Sequence, residues 1–499
     1  MSIILNSCHP KPGYALNVSE ETMELSWKKR KAKIICTLGP STSTYEEIKA
    51  LALAGMNVAR INFSHSNHET HRHLITTVRK VAQELNQSIA VLQDLQGPKI
   101  RVGHFKEGST RLTPGSLFTL TTRDVVGCSS IVSVSYPSFH LDVHRGSKVL
   151  LDDGNLMLEV EQVKEQDVQC RVIYGGILKN RKGVNLPDSI LTVDCMTEKD
   201  KRDLAFGLKI GVDYIAISFV QKPKDIMTVK EAIQQQGQNI PVVAKIERPQ
   251  AVRAIDEITE LADVIMIARG DLGVEMPTEE VPIHQKEIIS LCNRKGIPVI
   301  TATQMLESMM SSPRPTRAEA TDVANAILDG SDAVMLSGET AAGQFPLEAV
   351  VTMNKIVTLI EQKDGERWQH QKRDRSITYQ PSVALGYSAC HAADMVQADA
   401  IICLTQSGTT AKTVSRFRPS TPILALTNQT QTYNRMALIW GVTAYQGSEL
   451  SGDIDDVVAE LLEKFRSKNI FKKGVRLLFT AGLPFSEKRG TNMLRIEQI

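Results

Sequence analysis

The sequence contains no Cys-x-x-Cys pair. Its eight cysteines (Cys8, Cys36, Cys128, Cys170, Cys195, Cys292, Cys390, Cys403) are scattered. Such spacing excludes a disulfide framework and a cysteine zinc site, and indicates reduced thiols in a cytoplasmic protein. No apolar run reaches the roughly 18 residues that a membrane-spanning helix needs. The first 27 residues have neither a secretory apolar segment nor an arginine, so no signal or transit peptide is expected. Neither sign of charge dominates: 58 Lys and Arg stand against 56 Asp and Glu. That balance gives no reason to expect nucleic acid or a membrane surface as a partner. No Gly-x4-Gly-Lys-Ser/Thr sequence occurs, so a nucleotide must be held by something other than a P-loop.

What is present is length and a rhythm. A chain of 499 residues is enough for two to four domains. Apolar runs that read as strands begin at Lys33, Asn57 and Ile89, with helical segments at Thr44–Leu53 and about Thr70–Leu85 between them. From Lys99 to about Asp194 the sequence is rich in Val, Thr, Ser and Gly with no strong helix, the composition of an inserted β-domain. The rhythm resumes with strands at Tyr214–Phe219, Pro241–Glu247, Val264–Ala268, Pro298–Thr303 and Ala333–Ser337. Three strands before the insert and five after give the eight that close a (β/α)8 barrel. Thr316 to Glu319 matches a helix capping box, and Gly330 ends the helix it begins.

The expected organisation is an N-terminal extension (1–27), a first barrel part (28–98), the inserted β-domain acting as a lid (99–193), a second barrel part (194–362), a charged linker (363–380) and a C-terminal α/β domain (381–499). Strands of the last domain are expected at Ala400–Thr405, Pro422–Thr427 and Val475–Thr480, with a helix over Thr432–Trp440.

Chemistry in such barrels sits at the C-terminal strand ends. Here almost every end carries a polar residue: Arg60, Asn62 and Ser64; Asp94; Ser218; Lys245 and Glu247; Arg269 to Asp271; Thr303; Glu339. Lys245 and Glu247 are two residues apart and so share a face of their strand. Taken alone they could be a salt bridge; among the other strand ends they read as a site. Glu247 and Asp271, with no His or Cys nearby, suit Mg²⁺ or Mn²⁺ rather than zinc. Arg60 and Lys245 beside such an ion suit a phosphoryl group. The N–H groups of Gly270 and Asp271, opening a short helix, would hold a carboxylate. The substrate expected is a small phosphorylated acid, with the insert closing over a nucleotide.

These residues resemble the pyruvate kinase family. The matches are Ile34-Ile-Cys-Thr-Leu-Gly-Pro-Ser41, Asn57-Val-Ala-Arg-Ile-Asn-Phe-Ser-His65, Lys182-Gly-Val-Asn-Leu-Pro187, Ala244-Lys-Ile-Glu247, Ile267-Ala-Arg-Gly-Asp-Leu-Gly-Val-Glu275, Ala302-Thr-Gln-Met-Leu-Glu-Ser308, Pro313-Arg-Pro-Thr-Arg-Ala-Glu319 and Met335-Leu-Ser-Gly-Glu-Thr-Ala341. The resemblance implies transfer of the phosphoryl group of phosphoenolpyruvate to ADP. It casts Glu247 and Asp271 as the divalent-metal ligands, Lys245 and Arg60 on the phosphoryl group, and Gly270 and Asp271 on the substrate carboxylate. Thr303 lies beside the enolate, where a water relay delivers the proton, and His65, Arg101 and Lys182 approach the nucleotide. It also implies a homotetramer. The rival readings are a Mg²⁺-dependent lyase or aldolase acting on a pyruvate enolate in the same barrel, and a catalytically idle binding module, which would have damaged strand ends.

One departure stands out. Many family members read Asp-Thr-Lys-Gly-Pro-Glu-Ile-Arg-Thr after the third strand and need K⁺, held by residues matching Asn62, Ser64 and Asp94. This chain reads Asp94-Leu-Gln-Gly-Pro-Lys-Ile-Arg-Val102. The Lys99 ammonium, with Asp94 as counter-charge, is expected to replace the potassium ion, as in the family's K⁺-independent branch. In the C-terminal domain, Thr405, Ser407, Gly408, Thr409 and Thr410 form a turn at a helix start, a ready anion site. By resemblance it binds a phosphorylated allosteric effector, with Lys488 and Arg489 adding charge.

Overall fold

A computed structural model describes residues 30–187, 189–371, 380–447, 450, 452–468, 470–485, 487 and 489–499. The expected extension 1–27, residues 372–379 of the expected linker, and Lys488 lie outside the described residues.

Eight parallel strands close a barrel: Lys33–Leu38, Val58–Asn62, Ala90–Asp94, Tyr214–Ile217, Val242–Ile246, Val264–Ala268, Val299–Ala302 and Ala333–Leu336. Each lies within a run read as a strand. The intervening helices carry their own start signals. The Thr44 hydroxyl accepts the Glu47 N–H, and the Glu47 carboxylate accepts the Thr44 N–H in return, opening helix Tyr45–Ala54. Thr316 and Glu319 do the same for helix Arg317–Asp329, which stops at Gly330, where φ is 107°. Each such N-cap is worth about 1 kcal/mol. The second helix starts at His68 rather than near Thr70, because Asn67 caps it through the Thr70 N–H.

Alternation along the strands then decides where the site falls. Ile35, Val58, Leu92, Ala216, Val243, Met266 and Ala302 point inward and pack into the barrel's core. Two residues further along the same faces come Thr37, Arg60, Asp94, Ser218 and Lys245. The polar set therefore crowns the apolar interior at its C-terminal mouth. Opposite, the barrel floor is closed by Ala437 and Leu438 of the C-terminal domain.

The insert leaves after Asp94 and returns before helix Glu198–Ile210. It holds a six-stranded sheet and a two-stranded ladder around its own core, including Phe118, Phe139 and Leu158. The C-terminal sheet has five strands, in the order Val442–Gln446, Ile423–Thr427, Ala400–Leu404, Arg476–Ala481 and Met493–Gln498, the last one antiparallel. Its first and last strands were not expected. The helix expected over Thr432–Trp440 is instead Thr430–Arg435 followed by a 3-10 turn, Met436–Leu438. This domain is fastened to the barrel floor: Tyr214 Oη donates to the Arg435 carbonyl at 2.8 Å and Lys33 Nζ to the Val442 carbonyl at 2.7 Å. A helix from Pro346 runs to Gln371, into the stretch read as a linker. Among the described residues no helix is long and apolar enough to cross a membrane.

Candidate active site

Strand register brings the first partners together. Thr37 and Arg60 stand opposite each other on adjacent strands, as do Asn62 and Asp94. Arg60 Nη1 donates to Thr37 Oγ1 at 2.9 Å, and its Nε to Asp94 Oδ2 at 2.7 Å. Asp94 Oδ1 lies 3.4 Å from Lys245 Nζ. The Lys245 ammonium also meets Glu247 Oε1 at 2.8 Å and donates to Ser218 Oγ at 2.7 Å. Glu247 Oε2 accepts the N–H of Phe219 at 3.0 Å.

These groups are buried, so their charges set each other's proton affinity. Burial works against the Asp94 carboxylate, but Lys245 and Arg60 outweigh it and hold the group below the usual carboxylate range. Burial also disfavours the Lys245 ammonium, yet Asp94 and Glu247 raise it above an ordinary lysine. Glu247 goes the other way. Burial pushes its carboxyl up, and Lys245 only partly offsets this because Asp271 adds like-charge repulsion.

Asp271, Asn62, Ser64, His65, Lys99 and Arg101 line the same cleft, of about 160 Å³, between the barrel mouth and the insert. Asp94, Asp153, Glu247 and Asp271 share the cleft with Arg60, Lys99, Arg101 and Lys245, and within it Glu247 and Asp271 lie close enough to repel each other. A divalent cation would relieve that repulsion. Two hard oxygen donors suit Mg²⁺ or Mn²⁺ and leave positions open for substrate oxygens. Among the described residues no third His, Cys, Asp or Glu completes an all-protein metal cage.

Other expected residues are placed differently. The Gly270 N–H, expected on a substrate carboxylate, donates to Thr303 Oγ1 at 2.7 Å. The Thr303 hydroxyl in turn donates to the Ala302 carbonyl at 2.6 Å. Lys99 is exposed and makes no ion pair with Asp94 or any other described residue, because Arg60 and Lys245 already hold that carboxylate. Lys182 pairs with Asp152 at 2.5 Å. Glu339 is a structural acid rather than a cleft residue, accepting the N–H groups of Leu306 at 3.1 Å and Ser337 at 2.7 Å. In the C-terminal turn, Thr405 Oγ1 accepts the Gly408 N–H at 2.9 Å, and the Ser407 and Thr409 hydroxyls meet at 2.9 Å. Gly408 has φ 87°, a backbone conformation that glycine adopts without strain. Arg489 pairs with Glu487.

Two arginines were not singled out as partners from sequence. Arg248, 1% exposed, donates to the carbonyls of Leu186 and Ser189 at 2.9 and 3.2 Å. It ties the insert's return segment to the strand bearing Glu247. From the insert, Asn185 Nδ2 also donates to Glu275 Oε1 at 2.8 Å, on the helix that carries Asp271. Arg269 is gripped by Asp322 through both of its terminal nitrogens. Neither contact leaves a local sequence signal, since the partners are tens of residues away.

Comparison with known proteins bears on most of the chain. A family model described as pyruvate kinase, barrel domain, matches residues 29–350, and one described as pyruvate kinase, alpha/beta domain, matches residues 383–497. Pyruvate kinase 2 of Synechocystis sp. is 46% identical over 481 residues, covering 96% of this chain and 80% of that protein. Pyruvate kinase of Geobacillus stearothermophilus is 43% identical over 474 residues, covering 94% of this chain and 81% of that protein. Pyruvate kinase of Staphylococcus aureus is 43% identical over 475 residues, with 94% and 80% covered.

Proposed function

The chain belongs to the pyruvate kinase family, and from that premise we propose how its own residues move the phosphoryl group of phosphoenolpyruvate to ADP, giving pyruvate and ATP. It is a phosphotransferase of glycolysis. The matches give no support to the lyase or aldolase reading, and the idle-module reading meets an intact set of strand-end charges. The observation that carries the assignment of roles is the ring of Arg60, Asp94, Lys245 and Glu247 at the barrel mouth. A coupled assay with phosphoenolpyruvate, ADP and Mg²⁺ tests it; no pyruvate from that mixture, with pyruvate released instead by carbon–carbon cleavage of a longer 2-oxo acid, would favour the lyase.

Glu247 and Asp271 would hold Mg²⁺ or Mn²⁺, which when bound supplies Lewis-acid neutralisation of phosphoryl and enolate oxygens. Arg60 binds the phosphate. Lys245, fixed in three directions by Asp94, Glu247 and Ser218, presents a preorganised positive charge to the group in flight. The P–O bond to the substrate breaks as the bond to the ADP β-phosphate oxygen forms. The enolate left behind gains a proton at its methylene carbon. Thr303 orders that step, and its hydroxyl, a poor acid, works through water. His65 and Arg101 approach the nucleotide from the cleft wall, and Lys182 joins them once it leaves Asp152. Gly270 and Asp271 hold the substrate carboxylate, which requires Thr303 to release the Gly270 N–H.

Lys99 shares the cleft with Asn62, Ser64 and Asp94, which supports activity without K⁺. Its ammonium supplies the monovalent charge when the insert closes. In a tetramethylammonium buffer free of Na⁺ and K⁺, adding KCl should change kcat by less than about twofold. A large KCl stimulation would refute the substitution.

The turn Thr405 to Thr410 is assigned to a phosphorylated effector. Isothermal titration with sugar phosphates and AMP should show saturable heat for at least one ligand. No heat from any of them, in an active protein, would remove this role. Assembly as a cytoplasmic homotetramer completes the reading, and sedimentation would check the assembly state.

A further inference from the structure

Thr303 and Gln304 both occupy the left-handed backbone region, with φ of 68° and 54°. For non-glycine residues, and a β-branched one above all, this backbone is strained, so it persists only where neighbours fix it. Three acidic side chains from later elements surround the turn. Glu339 takes the Leu306 N–H, and Glu319 takes the Ser308 N–H at 2.7 Å. Only the third is linked to Thr303, and through Arg269. Asp322 Oδ1 and Oδ2 accept Arg269 Nη1 and Nη2 at 2.7 and 2.6 Å, and Arg269 Nη2 donates to the Thr303 carbonyl at 2.9 Å.

The short helix after the sixth strand, Arg269–Glu275, thus grips the turn twice, in consecutive residues. Arg269 holds the Thr303 carbonyl at 2.9 Å and the Gly270 N–H holds the Thr303 hydroxyl at 2.7 Å; once that N–H turns to the substrate carboxylate, Arg269 is the grip that remains. Asp322, on the helix after the seventh strand, sets the plane of the guanidinium fork, which a bidentate contact does and a single one does not.

We propose that Arg269, aligned by Asp322, is a positioning residue for the protonation half of the reaction. It fixes the strained turn and so the direction of the Thr303 hydroxyl. This rests on the role given to Thr303 above. In the step it serves, the enolate C=C electron pair forms the new C–H bond with a proton from ordered water. The enolate oxygen becomes the ketone, and Arg269 and Asp322 neither gain nor lose a proton. Phosphoryl transfer precedes this step and uses Lys245 and Arg60, so loosening the clamp separates the two halves.

The test uses Asp322→Asn, which keeps the shape and removes the charge, and Arg269→Lys, which keeps the charge and loses the fork. The readouts are exchange of the pyruvate methyl protons with D₂O, followed by proton NMR with Mg²⁺ and ATP present, and kcat and KM for phosphoenolpyruvate. Both variants should slow exchange by about tenfold or more, with KM changed by less than about threefold. In a Thr303→Ala background, Asp322→Asn should cost less than about a further twofold, because both changes act on one group. Normal exchange in both clamp variants, with slow exchange in Thr303→Ala, would overturn the clamp alone. A full tenfold loss added on the Thr303→Ala background would show that the pair acts elsewhere. Normal exchange in Thr303→Ala itself would remove the role of Thr303, and the proposal with it. Unchanged thermal midpoints keep misfolding out of the comparison.

Discussion

Replacing Lys245 by methionine should lower turnover by about 10³-fold, with phosphoenolpyruvate still binding within about tenfold of the parent affinity. Methionine keeps the length of the stem and removes the charge. The charge matters because the ammonium is already held where charge develops, at 2.8 Å from Glu247, 2.7 Å from Ser218 and 3.4 Å from Asp94. No reorganisation is needed at the moment of transfer, and the buried setting strengthens each contact. Ground-state binding survives because Arg60, still paired with Asp94, keeps hold of the phosphate. Removing one partner of a buried ion pair costs about 3–5 kcal/mol of stability, so thermal unfolding must be followed alongside. The variant also shifts the acid limb. Glu247 is raised by burial and lowered by Lys245; without Lys245 its carboxyl rises further, so metal binding should fail at higher pH than in the parent. Steady-state rates with direct substrate titration check this. Turnover within tenfold of the parent would remove the role given to Lys245.

Glu247→Gln and Asp271→Asn should each weaken Mn²⁺ binding by about 10²-fold or more, since even partners of a metal ligand are worth 10–100-fold. Each replacement is isosteric and removes one of the two hard anionic donors. Paramagnetic resonance of free Mn²⁺ reads the loss without relying on activity. Protons compete with metal at Glu247, whose affinity for them is raised, so in the parent the apparent Mn²⁺ affinity should decline on going from neutral to mildly acidic pH. Glu247→Gln should lose most of that slope. Parent-like Mn²⁺ binding in both variants would exclude these carboxylates as the ligands.

Much of the architecture was legible in the residues. The eight barrel strands are short apolar runs bounded by turn residues, and buried parallel strands leave that mark. The strand-end charges were equally plain, because Lys245 and Glu247 interrupt a run that is otherwise apolar. The two missed strands of the C-terminal sheet lie at its edges. Met493–Gln498 has no fully buried residue, and Val442–Gln446 has one, so neither shows a buried face to read. The helix expected over Thr432–Trp440 breaks early because Ala437 and Leu438 serve the barrel floor, a demand made by another domain. Within the site, residue types were readable and partners were not. Nothing near Asp94 says that it will bind Arg60 and Lys245 and leave Lys99 unpaired. Nothing near Arg269 points to Asp322. Such contacts follow from barrel closure and the helix after the seventh strand, which place distant residues side by side.

Anomalous diffraction from crystals grown with Mn²⁺ and phosphoenolpyruvate would test the core of this mechanism most directly. A metal peak within coordinating distance of both Glu247 and Asp271, about 2.0–2.3 Å as for hard oxygen ligands, with the phosphate against Lys245 and Arg60, is the expected result. A metal held elsewhere, or a phosphate turned away from Lys245, would contradict it.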